Sequence, residues 1–182
     1  MSAGANVTMA QSSWPLSVPQ WVAVYTSVNQ EKSVAAQFQQ RGIECFLPLY
    51  KTVRRRTDRR VTLDLPLFPG YLFACIPLTH RLRVLEVPRV VRIVGNRGTA
   101  AVVAEEEIRG LRNGLSIRGE VTPCQYLAKG TAVLVKNGPF AGCKGVLVRR
   151  KSGYRVVISL EVIRQAFTIE VGEEDVERVF GA

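Results

Sequence analysis

Leu67-Phe68-Pro69-Gly70-Tyr71-Leu72-Phe73 opens an apolar run that continues to Ile76. Large apolar residues in a run of this length predict a strand over Leu67–Ile76, entered through the Phe-Pro-Gly-Tyr step. Pro69 fixes one backbone angle, and Gly70 permits a tight approach or a positive φ. The rings of Phe68 and Tyr71 are therefore held with little side-chain entropy left to lose, which suits an exposed interface anchor. The same rings also suit a core position, the usual place for aromatics.

Outward from this stretch, strand and helix signals alternate. Residues 21–26 are β-branched and aromatic and predict a strand. Asn29 is placed to cap a helix through Glu31–Arg41, with Val34 and Phe38 one turn apart and Gly42 as its stop. Ile43–Tyr50 predicts one strand, with Pro48 suiting an edge or a bulge. Lys51–Arg60 reads as a basic hairpin tip between Tyr50 and Val61. Thr79–Glu86 predicts a short helix that begins at a solvent-facing His80. A strand follows at Val90–Val94. Ala104–Leu115 predicts a second main helix, with Glu105, Glu106 and Glu107 in its first turn and Ile108, Leu111 and Leu115 as its apolar stripe. The expectation for residues 19–112 is an α+β domain: a mainly antiparallel sheet with two helices covering one face.

The rest of the chain has a different texture. Residues 113–125 hold Gly, Ser and Pro without periodicity and read as a linker. Short strands are predicted at Thr131–Val135, Gly145–Arg150, Tyr154–Ser159 and Phe167–Val171, parted by turns such as Asn137-Gly138-Pro139. So many short strands in residues 126–182 predict a small β-barrel. Residues 1–18, with no charged side chain, read as a floppy leader.

The chain has 182 residues, 25 Lys+Arg and 15 Asp+Glu, for a net charge of +10. That balance favours an anionic partner. Lys51, Arg54, Arg55, Arg56, Arg59 and Arg60 concentrate the excess, with Asp58 the one anion among them. Packed like charges repel unless an anion neutralises them, and arginine matches phosphate bidentately. The run is a candidate for backbone-directed nucleic-acid contact, or a solvated loop. Arg81, Arg83, Arg89 and Arg92 mark a second anionic surface or the polar side of a helix and strand. Cys45, Cys75, Cys124 and Cys143 form no CxxC pair, so a zinc ribbon is excluded, and their spacing reads as reduced, mostly buried thiols of a cytosolic protein. With one histidine, no Gly-rich phosphate loop and no paired-carboxylate or nucleophile motif, no enzyme signature, metal site or cofactor is read. No apolar run reaches the ~20 residues of a membrane span.

Trp21-Val-Ala-Val-Tyr25, Leu67–Phe73, Val87-Pro-Arg-Val-Val-Arg-Ile-Val-Gly95 and Gly130–Val146 together resemble the NusG family of transcription factors. The first three match its N-terminal (NGN) domain, and the last looks like the KOW motif of its C-terminal SH3-like barrel. Gly42–Tyr50 and the Arg-rich hairpin look more like the specialised antiterminators of surface-polysaccharide operons than the housekeeping factor. The resemblance implies a non-enzymatic, cytoplasmic, monomeric elongation factor that binds bacterial RNA polymerase and suppresses pausing or termination. A general elongation or termination factor of the family, or a KOW-containing RNA- or ribosome-binding protein, is the alternative to what the resemblance implies. It assigns Phe68, Pro69, Gly70 and Tyr71, with Trp21 and Tyr25, to the polymerase clamp helices. It puts the hairpin near upstream or non-template DNA. It makes Phe140, Val162, Ile163 and Arg164 the contact for a small-subunit ribosomal protein or the Rho helicase. Ile163 stands where the housekeeping factor has an aromatic, a departure that counts more against Rho, and it equally suits a core position. One branch of the family folds its C-terminal domain as a helical hairpin over the polymerase surface. The β-branched runs and turn glycines of residues 126–182 predict a barrel instead.

Overall fold

The structure is a computed structural model, and it describes residues 15–55, 59–96, 98–116, 121–124, 131–150 and 153–179. The N-terminal half is organised on β1 (Pro19–Thr26), α1 (Glu31–Gln40), β2 (Glu44–Phe46), β3 (Leu49–Arg55), β4 (Arg60–Pro66) and β5 (Tyr71–Pro77). A 3-10 turn (Leu78–His80) leads into α2 (Arg81–Leu85), then β6 (Val90–Ile93), β7 (Gly95–Asn96), β8 (Thr99–Ala100), β9 (Val102–Val103) and α3 (Glu105–Ser116). The main sheet runs β2-β5-β1-β6, with β9 also on β1, and all its pairings are antiparallel. Hairpins β3–β4 and β7–β8 pair separately from it.

Alternation along the strands gives this sheet two apolar faces. Val22, Val24, Leu72, Ala74 and Ile76 meet Val34 and Phe38 of α1 and Val84 of α2. Trp21, Ala23 and Phe73 point the other way, into a core with Ile108 and Leu111 of α3. The helices therefore cover both faces, where the sequence suggested one. Each face carries its own apolar row, so both need a cover.

Several local expectations shift. Asn29 does not cap α1: it sits at φ +60, Gln30 holds the cap position, and no side chain bonds there. Asparagine tolerates the left-handed region better than most residues, so the turn took it. Pro48 divides the expected 43–50 strand between β2 and β3, since proline has no N–H for a ladder. Leu67–Gly70 forms a turn ahead of β5, with Tyr71 N–H bonded to Phe68 O at 3.0 Å. Of the leader, residues 1–14 lie outside the described residues, and Leu16 O accepts the Thr79 N–H at 3.3 Å.

The C-terminal half contains β10 (Thr122–Cys124), β11 (Thr131–Val135), β12 (Lys144–Arg150), β13 (Gly153–Leu160), β14 (Gln165–Val171), a 3-10 turn (Glu173–Asp175) and β15 (Val176–Arg178). They form one antiparallel sheet in the order β10-β14-β13-β12-β11-β15, a small SH3-like barrel around Val133, Val156, Ile158, Phe167 and Ile169. The stretch expected to be a linker holds the last turn of α3 at one end and β10, paired with β14, near the other.

Candidate docking face and its cover

The Phe-Pro-Gly-Tyr turn is bolted to the fold from beneath. Gly70 sits at φ +82 and donates its N–H to Oε1 of Glu31 at 2.6 Å. Glu31 is only 3% exposed. A backbone N–H on a buried carboxylate is among the stronger hydrogen bonds a protein makes. Gly70 O in turn accepts the Thr26 N–H at 2.8 Å. A Cβ at position 70 would lie 3.0 Å from Tyr25 Cε2, so glycine is required twice, for its φ and for the approach of the ring. Glu31 escaped the sequence reading because an acid in the first turn of a helix is ordinary.

From this turn an aromatic row spreads over the sheet. Tyr25 and Tyr71 are direct cross-strand partners with ring centroids 5.1 Å apart, and both are half-buried. Arg92, the partner of Tyr25 on β6, lies over the Tyr25 ring at 5.6 Å. Trp21 takes a different environment. It is buried under Arg112 of α3, whose guanidinium is 4.8 Å from the Trp21 ring, 5.3 Å from the Phe46 ring and 3.3 Å from Glu44 Oε1.

Phe68 corrects the expectation of an exposed ring: it is fully buried. It meets Phe73 of its own sheet edge-on at 6.3 Å and Phe167 of the barrel at 6.1 Å, and Phe167 meets Phe140 at 5.5 Å. One core thus runs through both halves of the chain. The barrel seats on α3 at two glycines. A Cβ on Gly114 would collide with the Phe140 ring, and one on Gly110 would lie 2.6 Å from Cys143 Sγ. Ile163, at 5% exposure, and half-buried Val162 join the same core, so Ile163 is a core residue here rather than an open patch. Arg164 is exposed at φ +51.

Two acidic side chains, Glu107 and Glu161, come near each other at this contact. Burial pushes the Glu107 carboxyl of α3 up, and neighbouring Glu161 of the barrel and Glu106 add to it against a backbone hydrogen bond at Ala104. The thiols of Cys45, Cys75, Cys124 and Cys143 are likewise pushed up, first by burial. Less thiolate at neutral pH means less nucleophilic sulfur.

The basic hairpin stands apart. Lys51, Arg55, Arg59 and Arg60 are exposed, and Arg55 faces Arg60 directly across the two strands. Like charges directly opposed destabilise a strand pair. Among the described residues no carboxylate pairs with these arginines. Arg54 lies in β3, and Arg56 falls outside the described residues. His80 is exposed at the start of α2 without a side-chain capping bond, and Arg83 donates to Arg41 O at 2.9 Å. Among the described residues no group of three His, Cys, Asp or Glu is placed to hold a metal, and no helix is long and apolar enough to cross a membrane.

A solved structure described as "Domain interaction in Thermotoga maritima NusG" is similar at 20% identity and TM-score 0.57, covering 91% of this chain and 99% of that one. One described as "Crystal Structure of MjSpt4:Spt5 complex conformation A" matches at 23% identity and TM-score 0.29, covering 89% of this chain and 99% of that one. The family model "Transcription termination factor nusG" matches residues 19–112, more than half of the chain. With its sheet, its Phe-Pro-Gly-Tyr turn and its C-terminal barrel, the chain belongs to the NusG family of transcription factors.

Proposed function

We propose that this chain is an elongation factor that docks on the clamp helices of bacterial RNA polymerase through the face around Phe68 and Tyr71 and suppresses pausing or termination, with particular operons as its targets. The observation that carries the reading is the turn itself. Two rings flank a Pro-Gly step that a buried Glu31 anchors, on an apolar sheet face that needs a cover. In the arrangement described, the chain's own barrel supplies the cover through Phe167. Docking through Phe68 then requires the barrel to leave, and the free barrel presents Phe140, Val162, Ile163 and Arg164 to a second partner. A small-subunit ribosomal protein suits this apolar patch better than Rho. Binding across the polymerase cleft favours one clamp state by differential affinity, without covalent chemistry. The exposed Arg55, Arg59 and Arg60 of the β3–β4 hairpin, which have no carboxylate partner among the described residues, suit upstream or non-template DNA, and a polymerase partner implies a cytoplasmic protein.

The test is binding of the full chain, and of a Gly114→Ala chain in which the barrel is unseated, to core RNA polymerase, with elongation followed on a template that carries a pause site. Stoichiometric binding and shortened pauses are expected. No binding by either chain refutes the reading.

A further inference from the structure

We propose that the polymerase meets this chain in two stages, first at the open end of the sheet (Tyr25, Tyr71 and Arg92) while the barrel still covers Phe68, and only then over Phe68 itself. The proposal rests on the polymerase reading above and adds an order of events and an acidic, apolar docking partner on the polymerase.

The register supplies the continuity. Tyr71, Tyr25 and Arg92 lie side by side on β5, β1 and β6. The adjacent row on the same face is Ala23 and Phe73, which belongs to the core shared with the barrel. One face is therefore divided: Phe68 and Phe73 have no exposed surface, the two tyrosines are half-buried, and Arg92 is exposed. The open part is rigid, since Tyr25 is held between Gly70, Tyr71 and Arg92, and Gly70 is held by Glu31. A preorganised surface loses little entropy when a partner arrives.

Its chemistry selects the partner. The Ser27 N–H bonds to Arg89 O at 2.9 Å, tying the loop that carries Val28 to the turn before β6. Val28, next in the chain to that bond, and Val91, next in the chain to Arg92, are 63% and 54% exposed, and Arg89 and Arg92 are exposed as well. Neither arginine has a carboxylate partner among the described residues. Apolar side chains with unpaired cations fit an apolar protein surface that carries carboxylates. A nucleobase fits less well, because the Arg92 guanidinium already occupies a face of the Tyr25 ring.

The two stages also answer a kinetic difficulty. If only Phe68 bound, only the open fraction of chains could begin to bind, besides the cost of opening in apparent affinity. A foothold outside the barrel's footprint lets binding begin on the closed chain. The partner then competes with the barrel at the high effective concentration of a tethered site.

A disulfide lock tests the order. A cysteine at position 110 places its Cβ within reach of Cys143 Sγ, so Gly110→Cys oxidises to a bridge that holds the barrel on α3, and reductant releases it. Binding to core RNA polymerase is measured for the full chain, oxidised and reduced, each with and without Arg92→Glu. The oxidised chain is expected to bind about 10-fold or more weakly than the reduced one, yet measurably. Arg92→Glu is expected to abolish binding of the oxidised chain. Each of four results overturns the proposal. The oxidised chain does not bind while the reduced one does, or the two bind equally. Arg92→Glu leaves the oxidised chain unaffected, or it instead abolishes binding of single-stranded DNA by a locked chain that ignores polymerase. If neither form binds polymerase, the reading under Proposed function fails and takes this one with it.

Discussion

A ring without exposed surface cannot be truncated without disturbing what lies against it. Phe68→Ala removes contacts with Phe73 and Phe167 together. Loss of a buried phenylalanine typically costs about 3–5 kcal/mol, so a large fall in the thermal midpoint is expected, read by circular dichroism. An unchanged midpoint would show that the ring is not buried in solution. Tyr25 and Arg92, at the open rim, are the residues to change for binding. At Glu107 the sign of a pH effect follows from its cause. Its carboxyl is raised above the ordinary 4.5 while the barrel is seated, so the closed form binds the proton more tightly than the open one. The closed contact is therefore strongest below the usual carboxylate range and weakens as pH rises through that range to the raised value. Glu107 keeps much of its surface in water, so the effect is modest. Glu107→Gln should remove it, as read by small-angle scattering from pH 4 to 7.

At the scale of elements, α3 carries two messages on one helix. Ile108, Leu111 and Leu115 were legible as an apolar stripe because periodicity announces burial. Gly110 and Gly114 were not, since a glycine in a helix carries no mark of what sits on it. Here Phe140 and Cys143 do. Gly114→Ala thus acts in opposite directions. Alanine favours helix over glycine by about 1 kcal/mol, but its Cβ meets the Phe140 ring. Amide exchange should show α3 at least as protected as before and slower closure of the barrel contact, with a larger radius of gyration. A compact Gly114→Ala chain would contradict the seat described here. The β3–β4 hairpin was legible from its charge run, whereas the facing of Arg55 and Arg60 needed the register. Neutralising Arg54, Arg55, Arg56, Arg59 and Arg60 should flatten the slope of log affinity against log salt for nucleic acid. It should leave stability level or higher, because the opposed charges repel.

Across the whole molecule, the sequence made both halves legible but not their contact. Strand alternation and turn residues are local, and they disclosed a sheet domain and a barrel. The contact joins Phe68 to Phe167 and Gly114 to Phe140, pairs separated by long stretches of chain and dependent on the relative placement of two folded units. Phe68 and Ile163 each read as a docking residue or a core residue, and in the closed chain both lie in one core. This leads to an outcome opposite to the usual effect of deleting an aromatic. On the proposed docking, Phe140→Ala weakens the seat on α3 and leaves more chains open, and apparent affinity for polymerase is expected to rise toward that of the open form. About 10-fold tighter binding is expected if the truncation removes roughly 1.4 kcal/mol of closed-state stability. Gly114→Ala acts on the same contact from the other side, so the two gains should not add in the double variant. Circular dichroism checks that the barrel strands survive. Binding that weakens in both single variants, with the strands intact, would mean that the barrel aids docking rather than competing with it.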